Sequence, residues 1–256
     1  MARLAAVLLE RIRKSFDYRV QARKSTRSEA RKYREYESRE FTTGADLLAY
    51  HFSTWSSTDH VNVAGFEAAM SLMAGRPQNI LETGTSAWGT DSTRLWDAYV
   101  RNFGGEFWSV DLSPAPRKRL HQQVSSQTHL MVDDSVHFLT AFAQEHAGLK
   151  IDVCYLDSWD LDWANPDPAA IHGLAEWHAV SPLIGPGSAL IIDDSPGSLE
   201  WVPTQHQEAA ETYFASHGYL PGKGALAHQE LIADPRVSAI WHGYNSVYVF
   251  SDPTPS

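Results

Sequence analysis

The stretch Asn79-Ile80-Leu81-Glu82-Thr83-Gly84-Thr85-Ser86 joins a short apolar run to a turn that contains a glycine. A short apolar run predicts a buried β-strand, and the helical pattern over residues 92–102 predicts a strand–turn–helix unit. A glycine lets the backbone approach a ligand closely, and the amino terminus of a helix offers free N–H groups. The sequence therefore predicts a ligand-binding turn after the first strand.

Strand-like runs and helical stretches alternate after this turn. The further runs that end in a carboxylate, or are followed at once by one, are residues 106–111, 128–132, 151–157 and 188–193. Such alternation is typical of a parallel sheet, whose ligands bind beyond the carboxyl ends of the strands. Residues 237–241 and 246–250 flank a four-residue turn and predict an antiparallel hairpin. We predict an α/β fold with a Rossmann-like, mostly parallel sheet of seven strands, flanked by helices.

The start of the chain differs in charge from the rest. Residues 1–40 contain 12 of the 21 Lys and Arg but 6 of the 31 Asp and Glu, so their formal charge is +6 and that of residues 41–256 is −16. Apolar residues recur at helical spacing over residues 2–16 and predict an amphipathic helix, which needs a partner surface. We predict a basic helical N-terminal extension over residues 1–60, a domain over residues 61–256, and a homo-oligomer formed through the N-terminal helix.

Composition narrows the classes of function. A body with a charge of −16 is a poor nucleic-acid binder because phosphate contacts need clustered Lys and Arg, so small-molecule substrates are favoured. The single cysteine, Cys154, excludes an intrachain disulfide framework and favours a reducing compartment. The apolar runs are too short to span a membrane and lack the pattern of a signal peptide, so we expect a cytoplasmic protein.

Acidic residues after the second and third predicted strands suit a nucleoside ligand. Asp111 lies 29 residues after Glu82, about one βαβ unit, and its carboxylate can accept hydrogen bonds from both ribose hydroxyls. Asp133, Asp134 and Ser135 follow the third strand, where a polar side chain can bind the amino group of adenine. The turn lacks the G-x-G-x-x-G pattern that holds a pyrophosphate. A dinucleotide site is therefore not predicted.

The pattern ILETGTSAWGT…WSVD…VDDS…YLDSWD…LIIDD resembles the class I S-adenosylmethionine (SAM)-dependent methyltransferase family over about residues 60–251. That family also closes its sheet with an antiparallel pair. The resemblance implies that residues 61–256 form a methyltransferase domain with SAM as cofactor. It implies contacts to the methionine part from Glu82 and Gly84, to the ribose from Asp111, to the adenine from Asp134 and Ser135, and to the cofactor from Thr85, Ser86 and Asp157. The second and third glycines of the family motif are replaced here by Ser86 and Trp88.

Three carboxylates are expected to meet beyond the fourth and fifth strands, namely those of Asp157, Asp193 and Asp194. Unpaired, they would repel one another, and a hard divalent cation is the simplest compensation. The layout also resembles the divalent-metal-dependent, catechol O-methyltransferase-like branch and related natural-product methyltransferases. This implies Mg²⁺ held by all three residues, which would lower the pKa of a hydroxyl on a sugar, polyketide or aromatic acceptor.

The proton acceptor is less clear from sequence. Three residues after Asp157, where that branch commonly has Lys or His, this chain has Asp160, so Asp157 and Asp160 are the predicted catalytic residues. A carboxylate is a weaker base, so either the metal does most of the deprotonation or a histidine helps; the candidates, which sequence does not rank, are His172, His178, His206 and His228.

Two alternatives to the metal enzyme stay open: a metal-independent methyltransferase of small molecules, and a SAM-binding protein without turnover. Trp159, Trp163, Trp177 and Trp201 are candidates for the wall of an acceptor pocket. The composition of Pro221-Gly222-Lys223-Gly224 predicts a mobile lid. The acceptor and the position methylated are left open.

Overall fold

The computed structural model describes residues 31–36, 38–86 and 89–252. The chain divides into two compact units, Met1–Glu40 and Phe41–Ser256. In the first unit residues 31–36 and 38 are helical. The predicted amphipathic helix 2–16, and with it the homo-oligomer contact, lies outside the described residues.

The second unit is an α/β sandwich. Its helices are α1 (Gly44–Trp55), α2 (Val63–Met73), α3 (Ser92–Phe103), α4 (Pro114–Leu120), α5 (Ser135–Glu145), α6 (Asp167–Val180), α7 (Gln207–His217) and α8 (Ala225–Ala233). Its strands are β1 (Gln78–Thr83), β2 (Gly105–Asp111), β3 (Thr128–Val132), β4 (Ile151–Leu156), β5 (Ile184–Ile192), β6 (Val237–His242) and β7 (Ser246–Phe250).

Helix α1 precedes the predicted domain boundary at residue 60, and it belongs to the second unit. Leu47, Leu48 and Phe52 of this helix are buried, and the helix packs against α2 and α3. Thr43 begins it as an N-cap, with its side chain accepting a hydrogen bond from the backbone N–H of Asp46. Charge changes near residue 40, and the compact unit begins there too.

The sheet confirms the predicted fold class. Its seven strands lie in the order β3-β2-β1-β4-β5-β7-β6, with β1 to β5 parallel and β7 antiparallel to both β5 and β6. Strand β5 begins at Ile184 and not at residue 188 as predicted. Ile184 pairs with Ile151, and the register then shifts before Ala189 pairs with Val153. The turn-like sequence Gly185-Pro186-Gly187 is thus accommodated inside a strand as an irregularity.

Both faces of the sheet are covered, as a parallel sheet requires. On one face Phe66 of α2 packs its ring between those of Trp96 and Tyr155, at centroid distances of 5.5 and 5.1 Å. On the other face a second cluster includes Leu81, Cys154 and Leu156. Successive strand residues alternate between the two clusters because their side chains point to opposite faces.

The chain order of the strands reverses between β1 and β4. From β1 the chain moves outward through β2 and β3, whereas β4 and β5 lie on the other side of β1. At such a switch point the loops leave in opposite directions and open a crevice beyond the carboxyl ends of the strands. Thr83 and Leu156 are paired at the ends of β1 and β4, so Gly84 and Asp157 lie at this point.

In the part of the chain that the structure describes, no helix is both long and apolar enough to cross a membrane.

Candidate active site at the strand ends

Gly84 and Asp157 are in direct contact at the switch point. The backbone N–H of Asp157 donates to the backbone oxygen of Thr83 at 3.1 Å, and the N–H of Gly84 donates to that of Val110 at 2.9 Å. Gly84 has φ +85°, and a Cβ atom there would lie 2.1 Å from the carbonyl oxygen of Asp157. The site therefore requires glycine both for its backbone conformation and for lack of space.

Glu82 is fully buried and holds the turn from below. Its carboxylate accepts hydrogen bonds from the hydroxyls of Ser92, Thr93 and Ser109 at 2.5, 2.5 and 2.6 Å. Burial raises the pKa of Glu82 to about 7, against the opposing effect of these three hydroxyls. With no exposed atom, the side chain ties β1 to β2 and to the start of α3. The contact between Glu82 and the cofactor stays a prediction.

Thr85 and Ser86 continue the turn in different ways. Thr85 is buried, and its hydroxyl lies 2.8 Å from that of Ser109. Ser86 has φ +58°; its N–H donates to the hydroxyl of Thr93 at 2.6 Å, and its hydroxyl accepts from Arg119 at 2.6 Å. Thr85 therefore faces the protein interior, whereas Ser86 is partly exposed.

Helix α1 contacts the end of the same loop, which sequence analysis did not anticipate. His51 is buried, and its Nε2 lies 2.7 Å from the backbone oxygen of Thr90. Burial lowers the pKa of His51 to about 4, so this imidazole is neutral. The guanidinium of Arg94 lies 4.3 Å from the ring centroid of Trp55 and donates to Asp91 at 2.9 Å.

Asp111 and Asp134 end up at the same edge of the sheet as Gly84. The Oδ1 atom of Asp111 accepts from the backbone N–H of Ser113 at 2.7 Å, and Oδ2 accepts from no described residue. Asp134 is exposed and caps α5 by accepting from the N–H of His137 at 3.0 Å. One oxygen of Asp111 is thus available to a ligand.

Ser135 belongs to a buried polar network with His172. The Nε2 atom of His172 lies 3.0 Å from the hydroxyls of both Ser135 and Ser158, and Ser158 donates to Glu176 at 2.7 Å. The carboxylate of Glu176, 3.6 Å from Nε2 of His172, raises the pKa of His172, with burial acting in the opposite direction. The ring of Trp159, which is 48% exposed, lies 4.9 Å from the imidazole.

The four candidate histidines can now be ranked. His172 contacts Ser135, a predicted cofactor residue, whereas the others pair elsewhere: His178 with Glu230 at 2.7 Å, His206 with the ring of Trp163 at 5.5 Å, and His228 with the hydroxyl of Tyr248 at 2.7 Å. The candidate tryptophans likewise have separate partners. Trp177 stacks on Phe250 and Trp201 contacts Trp241, so they do not form one wall with Trp159.

Asp157, Asp193 and Asp194 do come together, and the ammonium of Lys223 lies among them. Lys223 donates to Oδ1 of Asp157 and lies 3.1 Å from Oδ2 of Asp194. Its side chain is only 6% exposed. Asp194 has φ +40°, an uncommon conformation that Asp tolerates better than most residues. We call these four residues the carboxylate–lysine cluster.

The remaining carboxylate oxygens of the cluster also have protein partners. Asn62 donates to both oxygens of Asp193, at 2.9 and 3.1 Å. The hydroxyl of Tyr155 lies 3.0 Å from Oδ2 of Asp157 and 2.8 Å from Oδ2 of Asp193. Tyr244 donates to Oδ1 of Asp194 at 2.5 Å. All six carboxylate oxygens of the cluster are therefore within reach of a protein donor.

The ionisation of the cluster follows from burial and charge. Burial and the neighbouring charge of Asp193 raise the pKa of Asp157, while Lys223 acts to lower it. Burial disfavours the ammonium of Lys223, but the surrounding carboxylates raise its pKa above the ordinary value. Lys223 is therefore charged, whereas burial and the neighbouring charge of Asp194 raise the pKa of Asp193 as well.

These residues do not fit a divalent cation, which corrects the predicted Mg²⁺ site. The ammonium of Lys223 occupies the position between Asp157 and Asp194 that a cation would take. Among the described residues, no group of three or more His, Cys, Asp or Glu side chains is arranged to hold a metal. Sequence analysis missed Lys223 because it assigned residues 221–224 to a mobile lid; all four are buried instead. It also missed Asn62 and Tyr244, which are remote in sequence.

Asp160 is not part of the cluster. It is exposed, three residues beyond Asp157, and forms no hydrogen bond or ion pair with any residue that the structure describes. A cavity of about 200 Å³ lies beside the segment that contains Lys223 and is lined in part by Ser195, Gly222 and His242. Lys223 does not line this cavity, because its side chain points from the same segment toward Asp157.

Comparisons with known proteins give likeness in structure but not in sequence. No protein-family model matches the chain, and no curated protein sequence matches it significantly. An O-methyltransferase from Bacillus cereus in complex with SAH is 15% identical, with a TM-score of 0.47 over 83% of this chain and 92% of that one. The methyltransferase PaMTH1 of Podospora anserina, bound to SAH, is 14% identical, with a TM-score of 0.46 over 90% and 96%. Human Methyltransferase-like protein 13, also with SAH, is 13% identical, with a TM-score of 0.45 over 74% and 82%.

Proposed function

We propose that this protein is a SAM-dependent methyltransferase that acts on a hydroxyl of a small metabolite, such as a sugar, a polyketide or an aromatic natural product. The observation that carries the proposal is the position of Asp111. Its carboxylate stands at the end of β2, beside the turn at Gly84, with one oxygen fixed by Ser113 and the other without a described donor. An acceptor pair of this kind suits the two hydroxyls of a ribose.

The neighbouring residues suit the rest of the cofactor. Ser135 and Ser158 present hydroxyls beyond β3 and β4, and the half-exposed ring of Trp159 offers a face to an adenine. SAM supplies a methyl group on a positively charged sulfur. The carboxyl oxygens of the carboxylate–lysine cluster would attract that sulfur toward the ends of β4 and β5.

The acceptor is proposed to bind on the side of the crevice where the carboxylate–lysine cluster lies. An uncharged or cationic acceptor is favoured because residues 41–256 carry a formal charge of −16. Asp160 remains the proposed base, since its carboxylate is exposed and has no described partner. Asp157 would orient the substrate that accepts the methyl group. A cytoplasmic location is part of the proposal, supported by the single cysteine, Cys154, which is free and buried.

The direct test is calorimetric titration of SAH into the full chain and the Asp111→Asn variant. We expect the wild type to bind and the variant to bind about 30-fold more weakly, because a hydrogen bond to a charged group contributes about 2 kcal/mol. Glu106→Gln is the matched control, because Glu106 lies near the opposite end of the same strand. A wild type that does not bind SAH, or two variants with equal affinity, would contradict the proposal.

A second candidate is a SAM-binding protein without turnover. It is favoured by the hydrogen bonding of the cluster, in which every carboxylate oxygen already has a protein donor. The two candidates differ in one measurement, the release of SAH from SAM in the presence of a panel of hydroxylated metabolites. Release that depends on the acceptor and falls in Asp160→Asn supports the enzyme. Binding of SAH without any release supports the second candidate.

A further inference from the structure

The ammonium of Lys223 occupies the point on which two carboxylates converge. Oδ1 of Asp157 and Oδ2 of Asp194 belong to different strand ends, yet both contact the same Nζ atom. The carboxyl group of Asp193 lies close by, because the hydroxyl of Tyr155 bridges it to Asp157. Two carboxylate oxygens therefore face a single point, and a monovalent side chain holds that point.

The backbone keeps this ammonium in place. The N–H of Lys223 donates to the backbone oxygen of Asp194 at 2.9 Å. Close packing also surrounds the segment: a Cβ atom at Gly222 would lie 2.6 Å from the oxygen of Asp194, and one at Gly173 of α6 would lie 2.3 Å from the oxygen of Lys223. Glycine on both sides of this contact lets α6 and the end of β5 hold Lys223 rigidly.

We propose that Lys223 acts as a built-in replacement for a divalent cation, so that the protein needs no metal and a cation site appears when the ammonium is removed. This deepens the proposed function, because it makes methyl transfer metal-independent, and Lys223 acts as a positioning residue for Asp157 and Asp194. A bound cation would meet repulsion from the ammonium at the same oxygens. Without the ammonium, these oxygens are the hard ligands that Ca²⁺, Mg²⁺ and Mn²⁺ prefer.

The test compares four forms of the full chain after removal of metals with EDTA: wild type, Lys223→Ala, Lys223→Met and Lys223→Arg. Mn²⁺ binding is followed by loss of the electron paramagnetic resonance signal of the free ion, and thermal unfolding is measured with and without Mn²⁺ or Ca²⁺. Lys150→Ala is the matched control, because it removes an exposed lysine that pairs with Asp152 at the other end of β4.

We expect wild type, Lys223→Arg and Lys150→Ala to bind no Mn²⁺ at this site and to show no cation-dependent change in Tm. Lys223→Ala should unfold at a lower temperature in EDTA, recover with Mn²⁺ or Ca²⁺, and bind about one equivalent of Mn²⁺ where the wild type binds none, because one repulsive charge is gone. Lys223→Met should be destabilised without recovery, since its side chain fills the space left by the lysine.

One equivalent of Mn²⁺ bound by the wild type and lost in Asp194→Asn would overturn the proposal. So would a folded Lys223→Ala variant that does not respond to cations. If Lys223→Ala does not fold, the wild-type titration still decides the matter. None of these measurements uses methyl transfer, so failure of the proposed function would show separately, as absence of SAH binding.

Discussion

Glu82 allows a quantitative test of the buried turn. Its carboxylate is fully buried beneath three hydroxyls, and its pKa rises from the ordinary value of 4.5 to about 7 in the fold. A carboxyl group whose pKa is higher in the folded than in the unfolded chain stabilises the fold at low pH. That contribution is complete below the unfolded value and is lost as the pH rises through the folded value.

The size of the effect follows from the two pKa values. Linkage gives a loss of about 2.5 kcal/mol of unfolding free energy from this group between about pH 5 and about pH 8. Glu82→Gln removes the titration while keeping the shape of the neutral side chain. The stability of the variant relative to wild type should therefore improve by about that amount over the same pH interval.

Urea unfolding of both proteins across this pH range measures the difference. Glu67→Gln is the control, because Glu67 is exposed and forms no hydrogen bond or ion pair with any residue that the structure describes. Its stability relative to wild type should change little with pH. The reasoning about Glu82 is refuted if wild type and Glu82→Gln change in parallel between about pH 5 and about pH 8.

Two further variants test contacts at the strand ends. Gly84→Ala should destabilise the fold by about 2–5 kcal/mol and abolish SAH binding, because its Cβ would lie 2.1 Å from a backbone oxygen. Its matched control is Gly148→Ala, where φ is +92° and a Cβ would meet no atom within 4 Å. This control should lower the free energy of unfolding in urea by only about 1–2 kcal/mol. Tyr244→Phe should lower the free energy of unfolding by about 1 kcal/mol, because one carboxylate oxygen of the cluster loses its donor. Tyr213→Phe removes an exposed hydrogen bond and should change the free energy of unfolding by no more than about 0.5 kcal/mol. Equal losses within either pair would contradict these assignments.

The carboxylates of Asp157, Asp193 and Asp194 were correctly expected to meet, because neighbouring parallel strands end at the same edge. Their charge was correctly expected to need a positive partner. That partner comes from Lys223, which lies 29 residues beyond Asp194 in a segment rich in glycine and proline. The glycines of this segment permit close packing, although a composition rich in glycine and proline is typical of a mobile segment.

The sequence by itself determined the sheet. Apolar runs of strand length, alternating with helical patterns, specify a parallel core, and the two runs at the end of the chain specify its antiparallel hairpin. These are local signals, because side-chain periodicity and turn residues act within one element. The glycine at position 84 and the carboxylate at position 111 were placed correctly at strand ends for the same reason.

Only the tertiary structure decided what each polar side chain of the site contacts. Glu82 became an internal anchor because Ser92 and Ser109, from two other elements, converge on it. Asp157 and Asp194 became partners of Lys223 because α6 and the end of β5 pack closely around its backbone. Such contacts join residues far apart in the chain, and the choice between an ammonium and a metal ion depends on distances of a few ångströms that no local pattern encodes.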